Sequence, residues 1–277
     1  MKRAADHAQA LAAIRPSVIY TDLDGTLLGP GGALLAGPGR SVTAAAAQAL
    51  AALHGADVAV VPVSGRTENQ VREVGRVIGA SGFIAEMGGI VDTGSEIIRR
   101  YGAHRGPGTP YQAMARTGAA GFVLDAFAGR LEPHAPWAFR GRECTMLFRG
   151  MVDAEEVTGA LSEAGYEWLA LQDNGRISHP GPTPVVHAYH LAPLGVTKHE
   201  AVAEDIQRRG LRPEDAVAIG DGPSDAAMAA HTAAALIVSN GVEAVEAAGG
   251  ETGVLYRTDA GRGEGFAEAV TLLRVGP

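Results

Sequence analysis

Two carboxylates one residue apart, Asp22 and Asp24, close the apolar run Val18-Ile19-Tyr20-Thr21 and are followed at once by Gly25 and Thr26. A short β-branched and aromatic run of this kind suits a buried strand. Side chains two apart on a strand share a face. Because this strand is ending, Asp22 can face the carboxyl edge of a sheet while a turn at Gly25 swings Asp24 over the same spot. Carboxylates held that close repel one another, and a divalent cation is the usual way to keep both ionised. A strand followed by a bare Asp-Gly turn would be ordinary. An apolar strand ending in Asp-Leu-Asp-Gly-Thr-Leu points to chemistry.

Three more groups sit at comparable places. Ser64-Gly65-Arg66-Thr67 follows the apolar run 58–63 and offers a hydroxyl and main-chain N–H groups at a helix start, a ready anion site. The plain alternative is a Ser helix cap. Lys198 opens a helix, where the positive end of the dipole disfavours a cation unless an anion is held there; a solvated Lys is the plain alternative. Asp221 ends the run 216–220, and Asp225 falls in the first turn of the helix after it, where an acidic cap is also ordinary. In open α/β sheets ligands bind beyond the carboxyl ends of the strands, where all four groups would lie.

The elements that must position them alternate. Strands are expected at 18–21, 58–63 and 82–86, with helices from a Ser41 cap to about residue 54 and from 67 to 78. Residues 29–40 read as a Gly/Pro-rich loop too flexible to join a core. Strand-helix alternation implies a parallel sheet with right-handed crossovers. The rhythm changes near residue 101. A connector at 103–110 precedes one helix at 111–131 and a half-buried strand at 142–149, with Cys144, Met146 and Phe148 on one face and Glu143, Thr145, Leu147 and Arg149 on the other. A helix capped by Asp153 and strands at 166–172 and 185–191 follow, with Asp173-Asn174-Gly175 as a turn between them. The first rhythm then resumes with helix 198–209, strand 216–220, a helix from 225, strand 235–238, and helices 242–248 and 264–274. The organisation expected is a core of 1–102 and 192–277 with an inserted α/β unit at 103–191.

The chain has 277 residues, 46% hydrophobic and 19% charged, which suits a globular enzyme with a large core. Its formal net charge of −8 argues against a general nucleic-acid surface and against docking on anionic membranes. A single cysteine, Cys144, precludes an intramolecular disulfide and a Cys-based zinc site. No stretch approaches a transmembrane helix, and the start makes a poor signal peptide, so a cytoplasmic setting is expected. His187 and His190, three apart on an expected strand, face opposite ways and make a poor metal pair. Cys144 reads as a core residue, and Arg66 as a residue that either reaches substrate or packs at the surface.

In their order and spacing, Asp22-Leu23-Asp24-Gly25-Thr26, Ser64, Lys198 and Gly220-Asp221 with Asp225 resemble the four motifs of the haloacid dehalogenase-like phosphotransferases. The insertion between the Ser and Lys motifs is similar to that of the Cof-like subclass with a large α/β cap, which includes sugar phosphatases. Glu86-Met87-Gly88-Gly89 and Gly220-Asp221-Gly222-Pro223-Ser224-Asp225 resemble segments of mannosyl-3-phosphoglycerate phosphatase, with Met87 and Ser224 standing where Asn is usual, and Asn240 resembles an Asn after the fifth core strand of Cof-like members.

The resemblance implies a Rossmann-like core with a cap, and hydrolysis of a small phosphorylated metabolite, a sugar or sugar-acid phosphate. Asp22 would be the nucleophile forming an aspartyl-phosphate, and Asp24 the acid and base. Ser64, Gly65 and Lys198 would bind phosphate. Mg²⁺, a hard cation that keeps its waters, would be held by Asp22, the Asp24 carbonyl and Asp221, with Asp225 and Ser224 supporting. Glu143, Thr145, Arg149, Arg66 and Asn240 are the candidates for substrate selectivity. A phosphomutase using the same intermediate, and a non-hydrolytic phosphate-binding module, are the alternatives.

Overall fold

The computed structural model describes residues 1–177, 186–249 and 253–275. Its central sheet has six parallel strands in the order Lys2–Arg3, Leu255–Arg257, Ala234–Ile237, Ala216–Gly220, Val18–Thr21 and Ala59–Pro62. The inner strands are apolar throughout because helices cover both faces. Alternation then sends Ile19, Val217 and Ile219 to one side, against Leu50, Leu53, Phe266 and Val270 of helices Ala45–Gly55 and Arg262–Leu272. Val18, Tyr20 and Ala218 go to the other, against Val202 and Ile206 of helix Lys198–Arg208 and Val245 of helix Val242–Ala248. The expected α/β class with a parallel core sheet is what forms. The edge strand Lys2–Arg3 and its neighbour Leu255–Arg257 lie outside the expected set, being too short for a periodic signal.

Phe83–Ala85 does not extend the parallel sheet as a full strand. It touches Val63 through a single bridge at Ile84 and pairs antiparallel with Ile90–Asp92, which pairs with Ile97–Arg99. A second, four-stranded antiparallel sheet runs in the order Leu131–Pro133, Met146–Gly150, Val186–Pro193, Leu169–Ile177. Helices Pro110–Thr117, Ala119–Ala126 and Ala154–Glu163 pack Met114, Val123 and Leu161 onto its Phe148, Leu171 and Leu191.

Several local expectations are corrected. Ser41 does not cap the first long helix: its hydroxyl donates to the Pro38 carbonyl at 2.8 Å, and the helix starts at Ala45 with the Thr43 hydroxyl accepting from the Ala45 amide. The loop 29–40 is folded back, with two short 3₁₀ turns and Leu34 packed on the core. The single helix expected at 111–131 is two, broken where Gly118 is left-handed, and Leu131 already belongs to a strand. The strand expected at 142–149 begins only at Met146, because the amides of residues 143–145 are bonded elsewhere.

Asp173-Asn174-Gly175 is not a hairpin turn. It lies inside strand Leu169–Ile177, where the Asp173 carboxylate accepts from the Gly175 amide at 2.7 Å and the register slips by one residue as a bulge. The partner strand starts at Val186; Val185, the first residue expected in it, lies outside the described residues.

Candidate active site

Asp22 and Asp221 are the first residues past adjacent parallel strands, which brings their carboxylates together at the carboxyl edge of the sheet. The Asp22 amide continues the ladder onto the Ile219 carbonyl at 2.9 Å. Gly25, at φ +91°, turns the chain beside Asp221; a β-carbon there would overlap the Asp221 carboxylate. Asp221 accepts from the Thr26 hydroxyl at 3.2 Å on Oδ1 and from the Asn240 amide at 3.0 Å on Oδ2. Asn240 also donates to the Gly25 carbonyl and accepts from the Arg262 amide, so both ends of its side chain are engaged in holding this corner.

Lys198, the first residue of its helix and buried, reaches into the same spot. Its Nζ lies 2.8 Å from Asp22 Oδ1 and 2.8 Å from Asp225 Oδ1. Burial alone would lower its pKa; the carboxylates of Asp22 and Asp225 reverse that and leave it raised. The second oxygen of Asp225 accepts from the amides of Asp221 and Gly222 at 3.1 and 3.0 Å. Asp225 thus fixes Lys198 with one oxygen and the Asp221 loop with the other, with Ser224 half-buried beside it on the helix Pro223–Ala226.

Oxygens of Asp22, Asp221 and Asp225 lie within 4.8 Å of one another. Burial, only partly offset by Lys198, holds the Asp22 carboxyl well above its ordinary pKa, and burial with the neighbouring Asp225 pushes Asp221 up to about 7. Such a set of hard anionic oxygens, short of positive charge, suits a small divalent cation. Asp22 and Asp221, at the ends of adjacent strands, and Asp225 behind them are the side chains that could hold it. The Asp24 carboxylate is not in this group. It is turned outward and gripped by Arg66 through two bonds, Nε to Oδ2 at 2.7 Å and Nη2 to Oδ1 at 2.6 Å.

Ser64 is buried next to this edge, its hydroxyl accepting from the Arg66 amide at 3.2 Å. Gly65 is covered by the second sheet: a β-carbon there would clash with His190 Nε2 and fall 2.9 Å from Asn174 Nδ2. Arg142 donates to the Gly65 carbonyl at 3.1 Å and to the Thr145 hydroxyl at 2.9 Å. His190, buried 3.4 Å from that hydroxyl, is held well below the ordinary histidine pKa by burial, then by Arg142, Lys198 and His134.

Glu143, Thr145 and Arg149 do not form one face. Glu143 bonds Arg99 and Tyr101, Arg149 pairs with Glu132 at 2.6 Å, and only Thr145 lies beside the Ser64 loop. His187 bonds Asp173, away from His190, and Cys144 is a core residue. Reading the sequence missed Arg142, His190 and Asn174 as neighbours of the site. It noted Glu86 only through a resemblance, although an acid ending the apolar run Phe83-Ile84-Ala85 carries the same signal as Asp22 and Asp221.

A family described as haloacid dehalogenase-like hydrolase matches residues 186–252, the stretch that carries Lys198, Asp221 and Asp225. Over that stretch the chain resembles the haloacid dehalogenase-like hydrolases. Relatives of the chain include a phosphoglycolate phosphatase of Methanoculleus marisnigri, 27% identical over 254 residues, 91% of this chain and 94% of that one. A phosphoglycolate phosphatase of Methanopyrus kandleri is 28% identical over 231 residues, 83% and 87% of the two chains. Among solved structures, the sucrose-phosphatase of a Synechocystis species matches with a TM-score of 0.59 at 18% identity, covering 94% of this chain and 98% of that one. That match shows a shared fold with a cap. The Methanoculleus and Methanopyrus relatives are both named as phosphatases, and the protein is an enzyme of the phosphatase type. Among the described residues no helix is long and apolar enough to cross a membrane.

Proposed function

We propose that the protein hydrolyses a small phosphorylated metabolite, a sugar or sugar-acid phosphate, through an aspartyl-phosphate on Asp22, with residues 103–191 acting as a cap over a core of 1–102 and 192–277. The observation that carries this reading is the convergence of Asp22, Asp221 and Asp225 on the buried Lys198 ammonium at the sheet's carboxyl edge. In-line phosphoryl transfer needs a nucleophile, cations for the phosphoryl oxygens and a proton for the leaving group.

Lys198 engages Asp22 Oδ1, which orients the carboxylate and leaves Oδ2 to attack phosphorus. Released from Arg66 and protonated from solvent, Asp24 gives the leaving oxygen that proton as its bond to phosphorus breaks; the resulting carboxylate then takes one from the water that hydrolyses the acyl phosphate. Asp24 reaches this position by exchanging its bonds to Arg66 for the substrate. Ser64, the Gly65 main chain and Lys198 hold the remaining phosphoryl oxygens. Asp22, Asp221 and the Asp24 carbonyl would hold Mg²⁺, which when bound neutralises charge on the transferring group.

The sugar-acid end of the range is supported by the buried Arg142 over Gly65, a cation placed to meet an acidic organic portion, and by relatives named for phosphoglycolate. A cytoplasmic setting belongs to the same proposal, in keeping with the lone buried thiol of Cys144. The test is phosphate release by purified enzyme from a panel of phosphorylated sugars, sugar acids and glycolate, with Mg²⁺ and with chelator, alongside Asp22→Asn. Release that needs the cation and disappears in the folded variant supports the reading. An isomeric phosphate in place of free phosphate would indicate a mutase, and binding without turnover a non-hydrolytic module.

A further inference from the structure

Glu86, the first residue past strand Phe83–Ala85, is completely buried, and it is followed by Met87 in a conformation both residues share. Their φ angles are 49° and 60°, two consecutive non-glycine residues in the left-handed region, which L side chains disfavour. Strain of that kind persists only where surrounding contacts impose it. Here the contacts run two ways. On the main chain, the Glu86 amide donates to the Arg66 carbonyl at 2.9 Å and the Met87 amide to the Ser64 carbonyl at 3.2 Å. On the side chain, the carboxylate accepts from three successive amides: Glu143 at 2.8 Å, Cys144 at 2.9 Å and Thr145 at 2.9 Å. It also accepts from the Thr145 hydroxyl at 3.1 Å. One residue thus ties the Ser64–Arg66 loop to the segment that leads into the antiparallel sheet. Arg142 closes the loop from the other side by donating to the Gly65 carbonyl.

We propose that Glu86 is a positioning residue that sets the recognition face of the cap, Arg142, Thr145 and His190, over the phosphate-binding loop. The inference rests on the proposed phosphatase reading for what that face recognises. A carboxylate is suited to the task because it is acceptor-only and can take all four donors at once. An amide in its place keeps one acceptor and turns a donor toward N–H groups. Nothing in the arrangement puts Glu86 on the reacting atoms, so its loss should spare turnover of a substrate too small to reach the cap.

The experiment compares Glu86→Gln, Glu86→Ala and Glu86→Asp with the unaltered enzyme, using its best phosphorylated sugar or sugar acid and a small aryl phosphate. Hydrogen exchange of the amides at 143–145 is followed alongside. The expected result for Glu86→Gln is a KM for the larger substrate raised at least about tenfold, with aryl phosphate turnover within about threefold. Exchange at 143–145 should accelerate while the Val18–Thr21 amides stay slow. Glu86→Asp, which keeps the charge but shortens its reach to the four donors, should show the same pattern more weakly and serves if Glu86→Ala does not fold. Equal loss on both substrates, or unchanged kinetics with unchanged exchange, would overturn the assignment. Should the unaltered protein release no phosphate from anything, the phosphatase reading fails instead, and the exchange measurement still decides whether Glu86 holds the segment.

Discussion

The Lys198 ammonium lies 2.8 Å from Asp22 Oδ1 with both side chains shut away from water. A buried ion pair does not stabilise a fold strongly by itself, but removing one partner leaves the other charge uncompensated. Lys198→Ala strands Asp22 and Asp225 together, so metal-free protein should lose about 3–5 kcal/mol of stability in denaturant titrations. Turnover should fall by about 10²–10³-fold, because a fixed positive charge at the phosphoryl group is gone. Near-normal phosphate release by this variant would remove Lys198 from the site.

Asp24 and Arg66 form a two-bond pair at the mouth of the site, with the carboxylate half exposed. Asp24→Asn should lower turnover by about 10²–10⁴-fold, since protonation of the leaving group and activation of water fail together. Arg66→Ala releases the same carboxylate without deleting it, so the expected loss is within about tenfold and falls chiefly on KM. Steady-state kinetics of the two variants side by side separates the acid/base from the residue that parks it.

How much of this could be read beforehand depended on where the signal was stored. Asp22, Ser64, Asp221 and the buried strands beneath them were legible because a polar residue ending an apolar run is a local pattern. The strand expected at 142–149 was shortened because a distant carboxylate, Glu86, takes three of its amides. Asp173-Asn174-Gly175 has the chemistry of a turn, and it makes its local Asp173–Gly175 bond, yet the partner strand absorbs it as a bulge. His190 looked like half of a poor metal pair; only the packing of the second sheet onto Gly65 gives it a place near the site. Tertiary capture of backbone groups and contacts across two sheets leave no periodicity to read.

Burial and Asp225 push Asp221 up to about 7, so a cation must compete with a proton for it. The increase in melting temperature on adding Mg²⁺ should therefore grow from about pH 5 to about pH 8. It should be largely lost in Asp221→Ala, which deletes a hard anionic ligand. Differential scanning with and without chelator makes the comparison; a shift as large in Asp221→Ala as in the parent protein would place the cation elsewhere.

His190 predicts a stability change in acid. Its pKa in the folded protein is depressed by burial and by the nearby cations of Arg142 and Lys198, while in the unfolded chain it is near the ordinary value of about 6.5. Above about pH 6.5 both states carry it neutral and its contribution is complete. As pH falls below that value the unfolded chain takes up a proton that the folded protein resists, and stability drops until the folded pKa is reached. His190→Gln should flatten that slope below about pH 6.5, measured as the difference in unfolding free energy between the two proteins. Parallel pH profiles would mean that His190 is not held neutral.

Gly65 joins the Ser64–Arg66 loop to the second sheet with no room for a side chain. A β-carbon there would run into His190 Nε2 and sit 2.9 Å from Asn174 Nδ2, and neither ring nor amide has far to retreat, because His190 is buried and Asn174 lies within a strand bulge. Gly65→Ala should cost about 1–3 kcal/mol by overpacking. The strain falls at the boundary of the two sheets, so it should be relieved by their moving apart and not by disruption of the strands below. Asp22, Lys198 and Asp221 keep their mutual bonds through residues that Gly65 does not touch. Turnover of a small aryl phosphate should therefore change by less than about threefold, while KM for a sugar or sugar-acid phosphate rises by about tenfold as the recognition groups are displaced by a fraction of an ångström or more. Loss of both activities in equal measure would show instead that the substitution damages the phosphate loop itself.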